Sequence, residues 1–256
     1  MRPAFSPAAF RVLLQEGLDG GFAFVPFAEH EETAAERICL LRHDVDSDPS
    51  AALALAEIEV ELGVRSTYFL MLRSPVYNLF ARESHALVRE IAALGHAVGL
   101  HYDPAHAPEA GRTHTEQIEL ERRFLEEVFD LPFGAVAFHQ PSLAPGSFEI
   151  EVSGAVKANF LPGYHFVADP NQSEAVLAAY EIFRTGDPAR MQLLVHPMWW
   201  VGSEAQSPEE LWERAIHANW ERMQRQLLIE RAYGPPRRFS LEVARPEQAL
   251  RPASPR

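Results

Sequence analysis

The sequence has a single cysteine, so no disulfide can form within the chain and its fold must rest on buried apolar side chains. Cys39 stands inside the apolar run Ile38-Cys39-Leu40-Leu41 and reads as a small buried hydrophobe. No stretch approaches the roughly 18 consecutive apolar residues of a membrane-spanning helix. Met1 to Leu18 lacks both a basic start leading into a long apolar run and a small-residue cleavage site, so a soluble cytoplasmic protein is expected. Also missing is any sizeable cluster of lysine and arginine. With a formal charge of −13, binding to a phosphate backbone would work against the field of the whole protein, and nucleic acid is not an expected partner. What is present is 47% hydrophobic residues, enough for a substantial core in one large α/β domain or two small ones.

The chain is organised around Leu40-Leu41-Arg42-His43-Asp44-Val45-Asp46-Ser47-Asp48-Pro49, where an apolar run meets three aspartates, a histidine and an arginine. An alanine-rich helical pattern follows at once, as it does after a buried strand whose carboxyl end carries chemistry. Side chains alternate along a strand, so Asp44 and Asp46 leave one face about 6.6 Å apart at about 3.3 Å rise per residue, with His43 and Val45 opposite. Two carboxylates at that gap can hold one metal and its water. Asp48-Pro49 reads instead as an N-cap followed by proline in the first helical turn. Arg42 either braces a carboxylate or pairs at the surface.

Helical and extended patterns then alternate. A short helix from Ser6-Pro7 to Glu16 and a strand over 22–25 precede an exposed connection, Glu29 to Arg37. The helix after Pro49 runs to about Leu62 and ends at Gly63, and an apolar strand spans Thr67 to Leu72. A second cycle, Glu83 to Leu94 and then 97–100, ends on His101. In a third, Thr113-His114-Thr115-Glu116 fits a capping box, the helix runs towards Phe129, and strand 135–138 ends on His139. Pro141 to Pro170 has no clear period and suits loops. A helix from Glu174 to Phe183 precedes strand 192–195, which ends on His196, and Ser207-Pro208-Glu209-Glu210 opens a long helix to about Arg231. This order gives a single α/β domain over 1–244 with a central parallel sheet or barrel, and the proline- and arginine-rich 245–256 is expected to be a disordered tail.

Asp44, Asp46, His101, His139 and His196 all fall at or just past the carboxyl end of an expected strand, the rim where α/β folds place their sites. Carboxylates with imidazoles suit zinc or another first-row divalent ion, with positions left open for water. Metal-bound water loses its proton near neutral pH, a nearby carboxylate can take it, and a further histidine can protonate a leaving amine. The same count also fits the facial triad of non-haem iron oxygenases, whose usual jelly roll does not match this strand-helix alternation.

These residues resemble the polysaccharide deacetylases of carbohydrate esterase family 4, in particular divergent bacterial members with a His-Asp-Val-Asp opening. The resemblance runs from about Leu40 to Trp200 through short motifs in the family's order. It implies a distorted (β/α) barrel of about seven parallel strands, a bound divalent metal, and hydrolysis of an N- or O-acetyl group from a sugar. It makes Asp44 the base and Asp46 a metal ligand. Gly99-Leu100-His101 supplies a ligand histidine, and Leu194-Val195-His196 supplies the general acid. Asp169, in Phe166-Val167-Ala168-Asp169, is similar to the family's fourth motif and is expected among the substrate-binding residues. The chain departs from the family where Val45 separates the two aspartates. His106 stands five residues after His101 instead of four, with Pro104 between them, and can join the metal only from a loop. His139, in His139-Gln140-Pro141, stands where the family usually has arginine and can complete the ligand set instead.

Trp199-Trp200 offers an aromatic wall of the kind sugars stack on, or else core packing with an indole N–H bonded to backbone. His96, His114, His165 and His217 read as surface or structural residues. The expected activity is that of a metal-dependent hydrolase acting on a carbohydrate or sugar-containing precursor, most simply with zinc. The alternative is a non-catalytic carbohydrate-binding or assembly module that keeps the cleft.

Overall fold

The computed structural model describes residues 5–109, 111–203 and 207–230. Among them the strands are β1 (Ala23–Phe24), β2 (Ile38–Val45), β3 (Thr67–Leu70), β4 (Ala97–Tyr102), β5 (Ala135–Phe138), β6 (Val156–Lys157), β7 (His165–Ala168) and β8 (Arg190–Val195). The α-helices are α1 (Pro7–Asp19), α2 (Pro49–Glu61), α3 (Arg82–Ala93), α4 (His114–Phe129), α5 (Leu177–Thr185), α6 (Pro197–Trp200) and α7 (Pro208–Glu230). The chain divides into two compact units, Met1–Ile216 and His217–Arg256. The expected tail, 245–256, and the end of the expected domain at 244 lie outside the described residues. Among the described residues no helix is long and apolar enough to cross a membrane.

Every strand pair is parallel, in the order β6-β5-β4-β3-β2-β8-β7, with β1 beside the amino-terminal end of β2. The sheet curls into the distorted (β/α) barrel of seven parallel strands that the motifs implied. β2 is central because all eight of its residues are buried, and alternation along it sorts them. Cys39 and Leu41 pack outwards among α1 and α5 side chains such as Leu13, Leu14 and Phe183. Ile38 and Leu40 point into the barrel with Phe27, Phe69, Ala135 and Ala137. Arg42 and Asp44 continue that inward row, which is how an apolar strand delivers charge to the barrel mouth.

The interior is filled tightly enough to dictate one glycine. A Cβ on Gly99 would lie 2.7 Å from the Phe69 ring and 2.8 Å from the Ala135 carbonyl oxygen. Because Gly99 and His101 share a face of β4, the closeness there also sets the depth of His101. Gly99→Ala is expected to cost about 1–3 kcal/mol through overpacking. The check is a lower denaturant midpoint at unchanged slope.

Local signals place the helices. Asp48 caps α2 by accepting from the Ser50 N–H, and Gly63 takes the left-handed conformation (φ +70°) just past its end. Thr113 and Glu116 form the capping box of α4. Three features differ from expectation. β4 extends through Tyr102, so His101 lies within the strand and not at its end. The stretch 141–170 contains β6 and β7, of two and four residues; β7 is mostly exposed and so lacks the apolar run of a buried strand. The short helix α6 follows His196 directly.

Candidate active site

At the carboxyl end of the barrel, Asp46 Oδ1, His101 Nε2 and His139 Nδ1 converge. The oxygen is 3.1 Å from the first nitrogen and 3.3 Å from the second, and the two nitrogens are 3.3 Å apart. Donor atoms about 2.1 Å from one divalent ion stand roughly 3.0–3.4 Å from each other, so this triangle has the size such an ion requires. Asp46 Oδ1 is buried, yet neither imidazole contact has hydrogen-bond geometry. A cation would satisfy an oxygen that the protein leaves without a bonded donor. His101 Nδ1 lies 3.2 Å from the Ala137 carbonyl oxygen. An N–H there donates to that carbonyl and leaves the Nε2 lone pair pointing at the triangle. Two neutral imidazoles and a carboxylate fit a borderline divalent ion such as zinc.

Asp44 stands beside this group, its Oδ2 3.5 Å from His101 Nε2. Arg42 grips it from the same face of β2: Nε donates to Oδ1 at 2.7 Å and a terminal nitrogen donates to Oδ2 at 2.7 Å. Arg42 therefore braces a carboxylate and does not pair at the surface. Burial alone would raise the Asp44 pKa, but the Arg42 charge, followed by that of His101, holds it below the usual carboxylate range. For Asp46, burial is likewise outweighed, here by the His101 and His139 imidazoles, and its pKa lies well below the ordinary value. His139 is shifted the other way: burial lowers its pKa, and contact with Asp46 raises it overall.

His196 follows the end of β8 and comes within 3.8 Å of Asp46 Oδ2. Its Nδ1 lies 2.7 Å from Asp169 Oδ1, and its backbone N–H also donates to that carboxylate. Burial opposes protonation of His196, but Asp169 prevails and pushes its pKa up to about 9. A pocket of about 10 Å³, the room of roughly one water molecule, lies among Asp44, Asp46 and His196.

The structure thus brings together Asp44, Asp46, His101, His139 and His196. His106 is not among them: it is exposed in a turn after β4, as the proline before it and the five-residue spacing allow. Trp199 and Trp200 do not form the expected sugar-stacking wall. They are 4% and 1% exposed and pack into the core through α6. The Trp200 N–H donates to Asp169 Oδ2 at 2.7 Å. Asp169, expected to bind substrate, is fully buried with both oxygens engaged, and it positions His196 instead. His96 is buried and structural. His114 bonds the Tyr102 hydroxyl, while His165 and His217 are exposed. Sequence reasoning missed Tyr77, whose hydroxyl donates to the Val45 carbonyl and accepts from the Met71 N–H, tying the ends of β2 and β3 together. A lone tyrosine in the connection after β3 was the one available signal.

No family model matches the chain, and no curated protein matches it. Solved structures do. The chitin deacetylase of the fungal pathogen Colletotrichum lindemuthianum aligns at 16% identity and TM-score 0.42, over 71% of this chain and 81% of that one. The Streptococcus pyogenes deacetylase PplD, solved with acetate, aligns at 14% and 0.42, over 81% and 85%. A family 4 acetyl xylan esterase from Clostridium thermocellum, solved with a cobalt ion, aligns at 15% and 0.40, over 72% and 84%. Two of these neighbours are deacetylases and the third is a family 4 acetyl xylan esterase. What this site can do chemically follows from its own geometry.

Proposed function

We propose that the protein is a metal-dependent hydrolase that removes an N- or O-linked acetyl group from a carbohydrate or a sugar-containing precursor. The observation that carries this reading is the triangle of Asp46, His101 and His139 set between a carboxylate, Asp44, and a carboxylate-held imidazole, His196. Asp46, His101 and His139 would hold the divalent ion, zinc in the simplest case. When bound, such an ion lowers the pKa of water and polarises an acyl carbonyl. Asp44, kept ionised by Arg42, accepts the proton of a water in the adjoining pocket. His196, which also lines that pocket, donates a proton from Nε2 to the departing sugar nitrogen or oxygen, while Asp169 fixes its ring.

Purified protein is expected to contain about one divalent ion per chain and to release acetate from at least one member of a panel of acetylated sugars. Chelation and Asp44→Asn should each abolish release. Tight metal with no acetate from any panel member would overturn hydrolysis and favour a carbohydrate-binding module. Bound iron with consumption of 2-oxoglutarate would indicate an oxygenase.

A further inference from the structure

Two aspartates of one strand end compete for the same imidazole. Asp46 Oδ1 lies 3.1 Å from His101 Nε2 and Asp44 Oδ2 lies 3.5 Å from it. So small a difference does not by itself choose which carboxylate completes a metal site, since a side-chain rotation covers it. Their partners differ far more. Both Asp44 oxygens are occupied by the Arg42 fork, at 2.7 Å each, with the two side chains 2% and 4% exposed. Two parallel charge-assisted bonds in a buried setting are the strongest polar contact at this rim. Arg42 is itself held from beneath, its guanidinium carbon 5.5 Å from the centre of the Phe69 ring. Asp46 has no such clamp, and its Oδ1 has no hydrogen-bond donor.

We propose that Arg42 is a positioning residue that sequesters Asp44, and so decides that Asp46 ligates the divalent ion while Asp44 is kept back as base. This rests on the metal-site reading above. The fork leaves one lone pair on each Asp44 oxygen, enough to take a proton from water, while pinning the carboxylate where it cannot swing onto the ion. Without Arg42 a buried, unpaired carboxylate would stand beside His101, and the cation would be its nearest remedy. Removing Arg42 therefore strengthens metal binding as it weakens turnover. A merely structural arginine would do the opposite and loosen the site.

The test is titration of metal-free protein with zinc and with cobalt(II), whose visible spectrum reports the ligand set. Arg42→Met is expected to bind zinc about 10- to 100-fold more tightly, the size of the losses that changes around a metal site usually cause but of opposite sign, with an altered cobalt spectrum and lower kcat. Arg42→Met combined with Asp44→Asn removes both charges and should restore wild-type affinity and spectrum. Should Arg42→Met fail to fold, Arg42→Lys, which retains the charge but not the fork, should show a smaller rise. Asp46→Ala serves as the control for the site itself. If Asp46→Ala loses the ion but Arg42→Met and Arg42→Lys bind no more tightly than wild type, the role given to Arg42 is wrong and the metal site stands. If Asp46→Ala binds as wild type does, the metal-site reading falls and takes this inference with it.

Discussion

Asp169→Asn is expected to lower kcat for acetate release by about 10³- to 10⁴-fold, with bound metal and KM nearly unchanged. The carboxylate accepts on both oxygens: from His196 through its ring and backbone N–H, and from the Trp200 indole. Asparagine can accept on one side only. If its oxygen keeps the His196 ring, its amide N–H₂ faces the indole N–H, donor against donor. If it turns over, the amide donates to His196 Nδ1 and imposes the wrong tautomer. In both arrangements His196 loses the negative partner that keeps it charged and aimed at the pocket. Asp46, His101 and His139, the proposed ligands, have no contact with Asp169, so the ion should remain. Kinetics and metal content measured on one preparation decide the matter: a fall of less than about tenfold, or loss of the metal, would remove Asp169 from this role.

Much of this was legible in the sequence because the relevant signals are local. Apolar runs ending in Asp or His fixed four strands and the mouth at which they open. Pro49, Gly63 and the Thr113–Glu116 box fixed the helix ends between them. Alternation put Asp44 and Asp46 on one face of the expected strand. What could not be read were contacts across the barrel. Nothing near Asp169 in the chain says that its carboxylate meets a histidine 27 positions away. The five-residue spacing and Pro104 already set His106 apart from His139, but only the course of the chain after β4 puts it outside the site. The indoles of Trp199 and Trp200 sit beside a site histidine in sequence, yet a turn of helix carries them into the core. β6 and β7 escaped because short, half-exposed edge strands carry no periodic signal.

Behind the active strand lies a second charged group, and Glu59→Ala is expected to destabilise the fold by about 3–5 kcal/mol, the usual cost of breaking a buried pair. Glu59, on α2, has no solvent exposure. Its Oε1 lies 2.6 Å from His43 Nε2 and accepts from the Tyr68 hydroxyl at 3.0 Å; its Oε2 accepts from Ser66 at 2.5 Å and lies 3.3 Å from His96 Nδ1. The His43 ring also stacks on Tyr68, with centroids 4.2 Å apart. One carboxylate thus joins α2 to β2, β3 and the approach to β4, with His43 pointing away from the site between Arg42 and Asp44. Its loss would strand two imidazoles and two hydroxyls in a dry interface, and the melting temperature should fall by roughly 10 °C. Burial would raise the Glu59 pKa, but His43 and then His96 bring it below the ordinary value. A depressed folded-state pKa gives stability that is complete above the normal carboxyl range and is lost as pH falls through the folded value. Wild type should therefore lose stability more steeply than Glu59→Ala as pH falls below the ordinary carboxyl range. Denaturant midpoints of the two proteins followed through that fall, showing equal slopes with pH, would mean that folding leaves the Glu59 carboxyl unshifted.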